Sequence, residues 1–469
     1  MRLFLIGIVD MRPLQLEAVR KLAREHEVQY WLRSHDYVDV DEAEFPNTIF
    51  HNYFDALKAL PAPGIDASRF EPWSREEIEN FSDVESEYLT MADKWYPDWS
   101  VNKRKDLFYE FLRYWRGVMK KYSPDCIIFG TVPHEMFSFA LYNMAKRESV
   151  LTLILDDRFF DTERYAAVED YKVGHPKLQK ARPASLQSLS PKMQEYYLRH
   201  RGARNPEPAS MKRFFADRTP LRDALRFASV LWKFTKDGTL PKRALGKASR
   251  LFRESMIGEH RRLERVADFN EPYVYFPLHY QPELTTSPMG GVYADQILAI
   301  RTLAGALPPL WRIYVKEHPH QLAIHGGRET PARYKGFYEA LCGIDRVQLV
   351  PISTNTFSLI DRSKATSAIS GTALWEAALR GKPSLVFGYP WHINAPGAFH
   401  VGSVEECREA LARIAKGFAQ SEEEIIGYLK AADEISVDAW LYGTIERFPQ
   451  KQNEGELMYE AIRNALSKP

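Results

Sequence analysis

Residues 365–389, ATSAISGTALWEAALRGKPSLVFGY, decide how this chain folds. A short apolar run ends at Ser370-Gly371-Thr372. Apolar residues at helical spacing then predict a helix of about three turns carrying Trp375, Glu376, Leu379 and Arg380. Gly381 stops that helix and Pro383 opens a second apolar run, SLVFGY. Strand, tight turn, helix and strand in this order form the repeating unit of a parallel α/β sheet. The backbone N–H groups and hydroxyls at 370–373 stand where a helix N-terminus faces outward, which suits a phosphate. A plain N-cap would use the same residues. Glu376, one turn further on, is placed either to bond sugar hydroxyls or to face solvent.

The same alternation extends in both directions. Upstream lie a strand at 273–278 (YVYFPL), a polar loop at 279–291 and a helix at 292–306. A strand at 311–317 then ends in His318-Pro319, and it is followed by a helix at 334–342, a strand at 346–350 and a short helix at 356–362. Residues 269–420 therefore form one doubly wound domain. The chain also begins with a strand (2–9), an amphipathic helix (13–25) and a strand (28–32). After an aromatic, acidic insertion at 34–101 come a helix (103–121), a strand (126–130), the turn Thr131–Glu135, a helix to 146 and a strand (150–155) leading into Asp156-Asp157-Arg158. Residues 1–175 are thus a second Rossmann-like domain, with polar residues at the C-terminal ends of its strands, where open α/β sheets bind ligands. Residues 163–265 carry no strand signal, and 176–268 read as a helical, basic insertion. Residues 421–469 read as helices packing back on the first domain.

Composition narrows the function. A chain of 469 residues with 45% hydrophobic content supports two domains and extra elements. The net charge of +1 conceals 17 Lys/Arg against 7 Asp/Glu at 201–265. That stretch is either a solvated linker or a surface that docks on anionic lipid or an acidic acceptor. No nucleic-acid motif accompanies it, so nucleic acid is not an expected partner. Three scattered cysteines without a CxxC point to reduced thiols and a cytoplasmic protein. The opening MRLFLIGIVD is a strand rather than a leader, and no run is long enough to span a membrane.

There is no GxGxxG, no GxxxxGK[ST] and no GxSxG, and no cluster has metal-ligand spacing. Four polar loops remain, each after a strand: His134-Glu135; His279–Glu283 with Thr285, Thr286 and Ser287; Lys316–Pro319; and Ser370–Thr372 with Glu376. One lies in the first domain and three in the second. That distribution matches a GT-B glycosyltransferase, in which two domains face each other across a cleft and the second holds most of the nucleotide.

The runs YFPLHYQPELTTSPMGG, DQILAIRTLA, YVKEHPHQ, SGTALWEAALRGKPSLVFG and PHEMFSFALYNMAK resemble the capsule polysaccharide synthesis family, which includes Kdo transferases. The resemblance covers 271–392 well and the first domain at one motif. The His-Pro pair is also similar to that of bacterial sialyltransferases. It implies a CMP-activated 2-keto acid sugar as donor and no other cofactor. It also implies a glycolipid or oligosaccharide acceptor, and a peripheral place on the inner face of the cytoplasmic membrane through 201–265.

Carried onto this chain, it implies His318 and Pro319 at the CMP phosphate, with Lys316 adding charge. Ser370, Gly371 and Thr372 would hold the same phosphate, Glu376 the ribose, and Gln281 sugar hydroxyls. Glu135 beside His134 is the expected catalytic carboxylate, with Glu283 competing from the facing loop. Asp295 is a further alternative, and Asp156, Asp157 and Arg158 rank third. No metal is expected, because the helix N-terminus and His318 would neutralise the phosphate. The alternatives are a GT-B enzyme or epimerase using a UDP- or GDP-sugar, and a non-catalytic scaffold of polysaccharide assembly.

Overall fold

The computed structural model describes residues 1–9, 12–33, 40–160, 164–202, 255–324, 327–442 and 451–467. Most of the basic stretch at 201–265 lies outside these residues. Two six-stranded sheets organise the chain. The first contains β1 (Arg2–Ile6), β2 (Glu27–Leu32), β3 (Ile49–His51), β4 (Cys126–Phe129), β5 (Leu151–Phe159) and β6 (Arg164–Val168), in the order β3-β2-β1-β4-β5-β6. Every pairing is parallel except β5 with β6. The second contains β7 (Tyr273–Pro277), β8 (Arg312–Lys316), β9 (Val347–Val350), β10 (Ala365–Ala368), β11 (Ser384–Val386) and β12 (Ala398–His400), in the order β12-β11-β10-β7-β8-β9, all parallel.

The first strand shows how sequence becomes layers. Side chains alternate faces along a strand, so Leu3 and Leu5 enter one core while Phe4 and Ile6 enter the other. The Leu3/Leu5 face is covered by the helices Leu16–Glu25 and Glu454–Leu466. The second of these comes from the far end of the sequence. It is locked by the fully buried pair Arg12–Glu454 and by Tyr459, whose hydroxyl donates to Glu25 at 2.5 Å. The Phe4/Ile6 face is covered by the long helix Val101–Tyr122. Its apolar stripe Phe108, Phe111, Leu112, Trp115, Val118 and Met119 is buried, and each such side chain contributes about 1.5–3 kcal/mol.

Two strand expectations are corrected. Arg164–Val168 is a strand, although 163–265 carries no strand signal in the sequence. Asp156-Asp157-Arg158 lies inside β5, not in a surface turn after it. Both have one cause: β5 and β6 pair antiparallel at a sheet edge, so charged side chains continue into a strand whose hydrogen bonds a neighbour satisfies. The helix after β10 is shorter than expected, at Thr372–Leu379.

An aromatic cluster joins the two domains. Phe159 at the end of β5 stacks on Trp391 (4.5 Å between centroids), and Trp391 meets Trp375 at 5.0 Å. Trp375 Nε1 donates to the Tyr196 hydroxyl on the helix Pro191–Arg201. Two Rossmann-like domains therefore face each other across a cleft, a two-domain α/β, GT-B-like architecture. Among the described residues no helix is long and apolar enough to cross a membrane.

Candidate functional site

In a doubly wound sheet the ligand crevice opens where two adjacent strands send their connections to opposite sides. In the first sheet that point lies between β1 and β4. Here the two loops touch backbone to backbone: a Cβ on Gly130 would stand 2.1 Å from the Gly7 carbonyl oxygen. The Tyr442 hydroxyl also donates to the Gly130 carbonyl. Beyond these loops is a cavity of about 620 Å³ between the domains. Its floor is apolar, with Ile6, Leu32, Tyr53 and Phe137. Its rim carries His134, Glu135 and Asp157 from the first domain and Glu283 from the second.

Glu135 is the N-cap of the helix Met136–Arg147. Its carboxylate takes Lys94 Nζ at 2.5 Å and Trp95 Nε1 at 2.7 Å, and its side chain is only 12% exposed. Both carboxylate oxygens are therefore held in one orientation. His134 has Nδ1 2.9 Å from the Val132 carbonyl oxygen, which fixes the proton on Nδ1. Its Nε2 lies 3.6 Å from Glu135 and is free to accept a proton. Burial lowers the pKa of His134, keeping the ring neutral. Asp157, on β5, accepts from the Thr131 hydroxyl at 3.3 Å. Burial, reinforced by the neighbouring Asp156, pushes its pKa up to about 6. Glu283 lies across the cleft, near enough for Lys94 to act on it. The surrounding walls nevertheless raise its carboxyl above the ordinary range.

In the second sheet the crevice lies between β7 and β10. Gly371 is the N-cap of Thr372–Leu379 in extended backbone, with no side-chain cap. The first amides of that helix, Thr372 and Ala373, therefore lack an intrahelical acceptor. Gly371 packs closely there: a Cβ would fall 2.9 Å from His279 Cε1. His279 is buried under the turn, and its Nε2 accepts the Ser370 N–H at 3.3 Å. Burial lowers its pKa to about 3. His318 has Nδ1 accepting the His320 N–H at 3.2 Å, so its proton sits on Nε2 and is available as a neutral donor. Burial, with His320 next, lowers its pKa to about 4. Glu376 lies close enough to raise the Tyr275 hydroxyl further.

Other predicted site residues have partners of their own. Lys316 is buried and donates to the Thr354 carbonyl (2.6 Å) and the Thr356 hydroxyl (2.8 Å), so its charge fixes a loop. Gln281 is buried, with its amide donating to Ala294 O and its carbonyl oxygen taking Gln296 and Arg333. The Ser370 hydroxyl donates to the Thr285 carbonyl, which leaves Thr372 facing outward. Pro319 opens the short helix Pro319–Ile324. Asp295 caps Gln296–Ala304. Asp156 binds Arg158, whose guanidinium also reaches the Tyr389 carbonyl at 3.2 Å and so ties the domains together.

Lys94, Trp95 and Arg333 lie outside the four polar loops of the sequence, while His279 opens one of them without a role of its own. Only Lys94-Trp95, a cation beside an aromatic in an acidic insertion, offers a retrospective signal. Among the described residues no group of three or more His, Cys, Asp or Glu is arranged to hold a metal ion.

No family model matches this chain, and no curated protein matches it. Solved structures do. A UDP-GlcNAc 2-epimerase from Methanocaldococcus jannaschii is 10% identical over 93% of this chain and 98% of its own, with a TM-score of 0.26. The Neisseria meningitidis UDP-GlcNAc 2-epimerase bound to UDP-GlcNAc is 15% identical over 99% and 100%, at 0.21. Thermosulfurimonas dismutans KpsC, a β-Kdo 2,7 transferase, is 12% identical over 76% and 87%, at 0.28. At these scores the likenesses lend no weight to any reading of the site.

Proposed function

We propose that this chain is a glycosyltransferase of GT-B form, moving a sugar from a nucleotide donor to an acceptor hydroxyl in the interdomain cleft. The donor we favour is a CMP-linked keto-acid sugar such as Kdo, and the acceptor a glycolipid or growing surface polysaccharide. One observation carries the reading: the 283–285 loop joins the two crevices. Glu283 stands on the cleft wall opposite Glu135, and two residues later the Thr285 carbonyl takes the Ser370 hydroxyl at the helix N-terminus. A phosphate held at Thr372 would therefore place its sugar toward the carboxylates.

In this reading the Thr372 and Ala373 amides and His318 Nε2–H bond the donor phosphate. They stabilise the charge that grows as the bond from sugar to phosphate oxygen breaks. Glu376 takes the ribose. The acceptor hydroxyl bonds to the sugar carbon, and its proton passes to His134 Nε2 or to Asp157, whose pKa is pushed up to about 6. Glu135, oriented by Lys94 and Trp95, stabilises positive charge on the imidazole or the sugar. The helix N-terminus and His318 serve in place of a metal, so chelator leaves turnover unchanged. The basic stretch at 201–265 supports peripheral contact with anionic lipid. That is tested by sedimentation with vesicles containing phosphatidylglycerol.

The deciding experiment is thermal protection by nucleotides. CMP is expected to raise the unfolding temperature and UDP or GDP not to. The reverse order removes the CMP assignment and favours a UDP- or GDP-sugar enzyme. No binding of any nucleotide, with no CMP release from CMP-Kdo, favours a scaffold.

A further inference from the structure

Among the described residues of the second domain, Arg333 is a fully buried cation, with 1% of its side chain exposed. It sits outside every strand and regular helix and outside all four polar loops of the sequence. Its Nε lies 2.6 Å from Glu317 Oε2 and its Nη2 3.1 Å from Glu317 Oε1. Nη2 also donates to the His279 carbonyl at 3.1 Å, and Nη1 to Gln281 Oε1 at 3.0 Å. Glu317 is completed by the Tyr338 hydroxyl at 2.7 Å and by the His318 backbone N–H at 2.7 Å.

A buried ion pair is a poor device for stability alone, because desolvation offsets most of its attraction. A rigid planar fork with five donors is a good device for fixing loops relative to one another. The two loops that Arg333 holds are the ones that carry His279 and His318. Through His279 the chain of contacts continues to the Ser370 N–H and the turn at Gly371. One guanidinium thus sets the spacing between the β7 loop, the β8 loop and the helix N-terminus after β10.

We propose that Arg333 is the positioning residue of the donor-phosphate site. It acts through Glu317 on His318 and through the His279 carbonyl on the turn at Gly371. This rests on the donor role given above to that turn. Arg333 touches no substrate in this scheme; it holds the groups that do.

The test compares Arg333→Lys with Arg12→Lys in the full chain. The second breaks a fork of equal burial, Arg12–Glu454, in the other domain. Two quantities are read: CMP affinity by calorimetry, and the imidazole resonances of His279 and His318 in nucleotide-free protein, assigned with His279→Gln and His318→Gln. Arg333→Lys is expected to weaken CMP about 10- to 100-fold and to shift both resonances, with Arg12→Lys changing neither. Unchanged affinity and resonances in Arg333→Lys overturn the proposal, as does an equal loss in Arg12→Lys. If Arg333→Lys does not fold, Tyr338→Phe removes one Glu317 bond and leaves the ion pair. A loss of about 3-fold in CMP affinity is then expected, and none overturns the role. If the wild-type chain binds no CMP, the donor reading fails, and the resonances alone decide whether Arg333 sets the two loops.

Discussion

Lys94 Nζ lies 2.5 Å from Glu135 Oε1 at the rim of the interdomain cleft, while Trp95, the next residue, holds the other carboxylate oxygen. Adjacent residues of one segment thus fix both oxygens of a carboxylate borne by a different helix. Glu135→Gln should keep the Trp95 bond and lose the charge. Turnover of CMP-Kdo is expected to fall by about 10²- to 10⁴-fold, with CMP affinity unchanged by calorimetry. A variant that turns over like the wild type takes Glu135 out of the chemistry.

Asp157 gives the site a titration near pH 6. A base must be ionised, so turnover should rise through about pH 6, and Asp157→Asn should remove that limb. Stability should move the opposite way. The folded state holds this proton more tightly than the unfolded chain, so the associated stability is complete below the ordinary 3.8 and is lost as pH rises to about 6. Chemical denaturation across pH 3.5–7 should show a shallower decline in Asp157→Asn than in the wild type.

His318 is neutral over the physiological range because burial lowers its pKa to about 4. CMP affinity should therefore show no loss as pH rises from 6.5 to 8, since the only charge change there is the second ionisation of the CMP phosphate near pH ~6; a binding curve at three pH values would check this. A loss centred on the ordinary histidine value of 6.5 would mean that a protonated ring binds the phosphate. His318→Ala should weaken CMP by about 10-fold, the cost of one hydrogen bond to a charged group.

Two glycines should separate folding from binding. Gly130→Ala drives a methyl to 2.1 Å from a backbone oxygen. It should destabilise the protein by at least about 1–3 kcal/mol, read from denaturant melts. Gly371→Ala meets a side chain instead, His279 at 2.9 Å. It should spare most of the stability and reduce CMP affinity. Equal effects of the two on both measurements would contradict the separation.

The sequence was most informative where one segment carries both the pattern and the polar residues. Residues 365–389 read as strand, turn, helix and strand because Gly381, Pro383 and the apolar periodicity are local signals, and Gly381 does adopt φ +73°. Placing Glu135 at a helix start worked for the same reason. For Lys316 and Gln281, the residue type at a strand end does not say which neighbour satisfies the side chain. Thr354 and Thr356 claim the first, and Gln296 and Arg333 the second. Arg333 stands in a polar run, ETPARYKG, that looks like any exposed loop. Its importance arises from Glu317 and the His279 carbonyl, which lie far from it in the chain. Asp157 does not stand out in the sequence, because its elevated proton affinity comes from burial in β5, beside a strand the sequence does not announce.

The helix Glu454–Leu466 covers one face of the first sheet, and Glu454 pairs with the Arg12 guanidinium inside the core. A ribosome makes Arg12 early and Glu454 more than four hundred residues later. During synthesis the first domain therefore waits with Leu3, Leu5 and Trp31 incompletely covered, while the second domain can close its own core as it emerges. The domain that starts first finishes last, and a nascent chain stalled before residue 454 should be the form that chaperones hold and proteases clear.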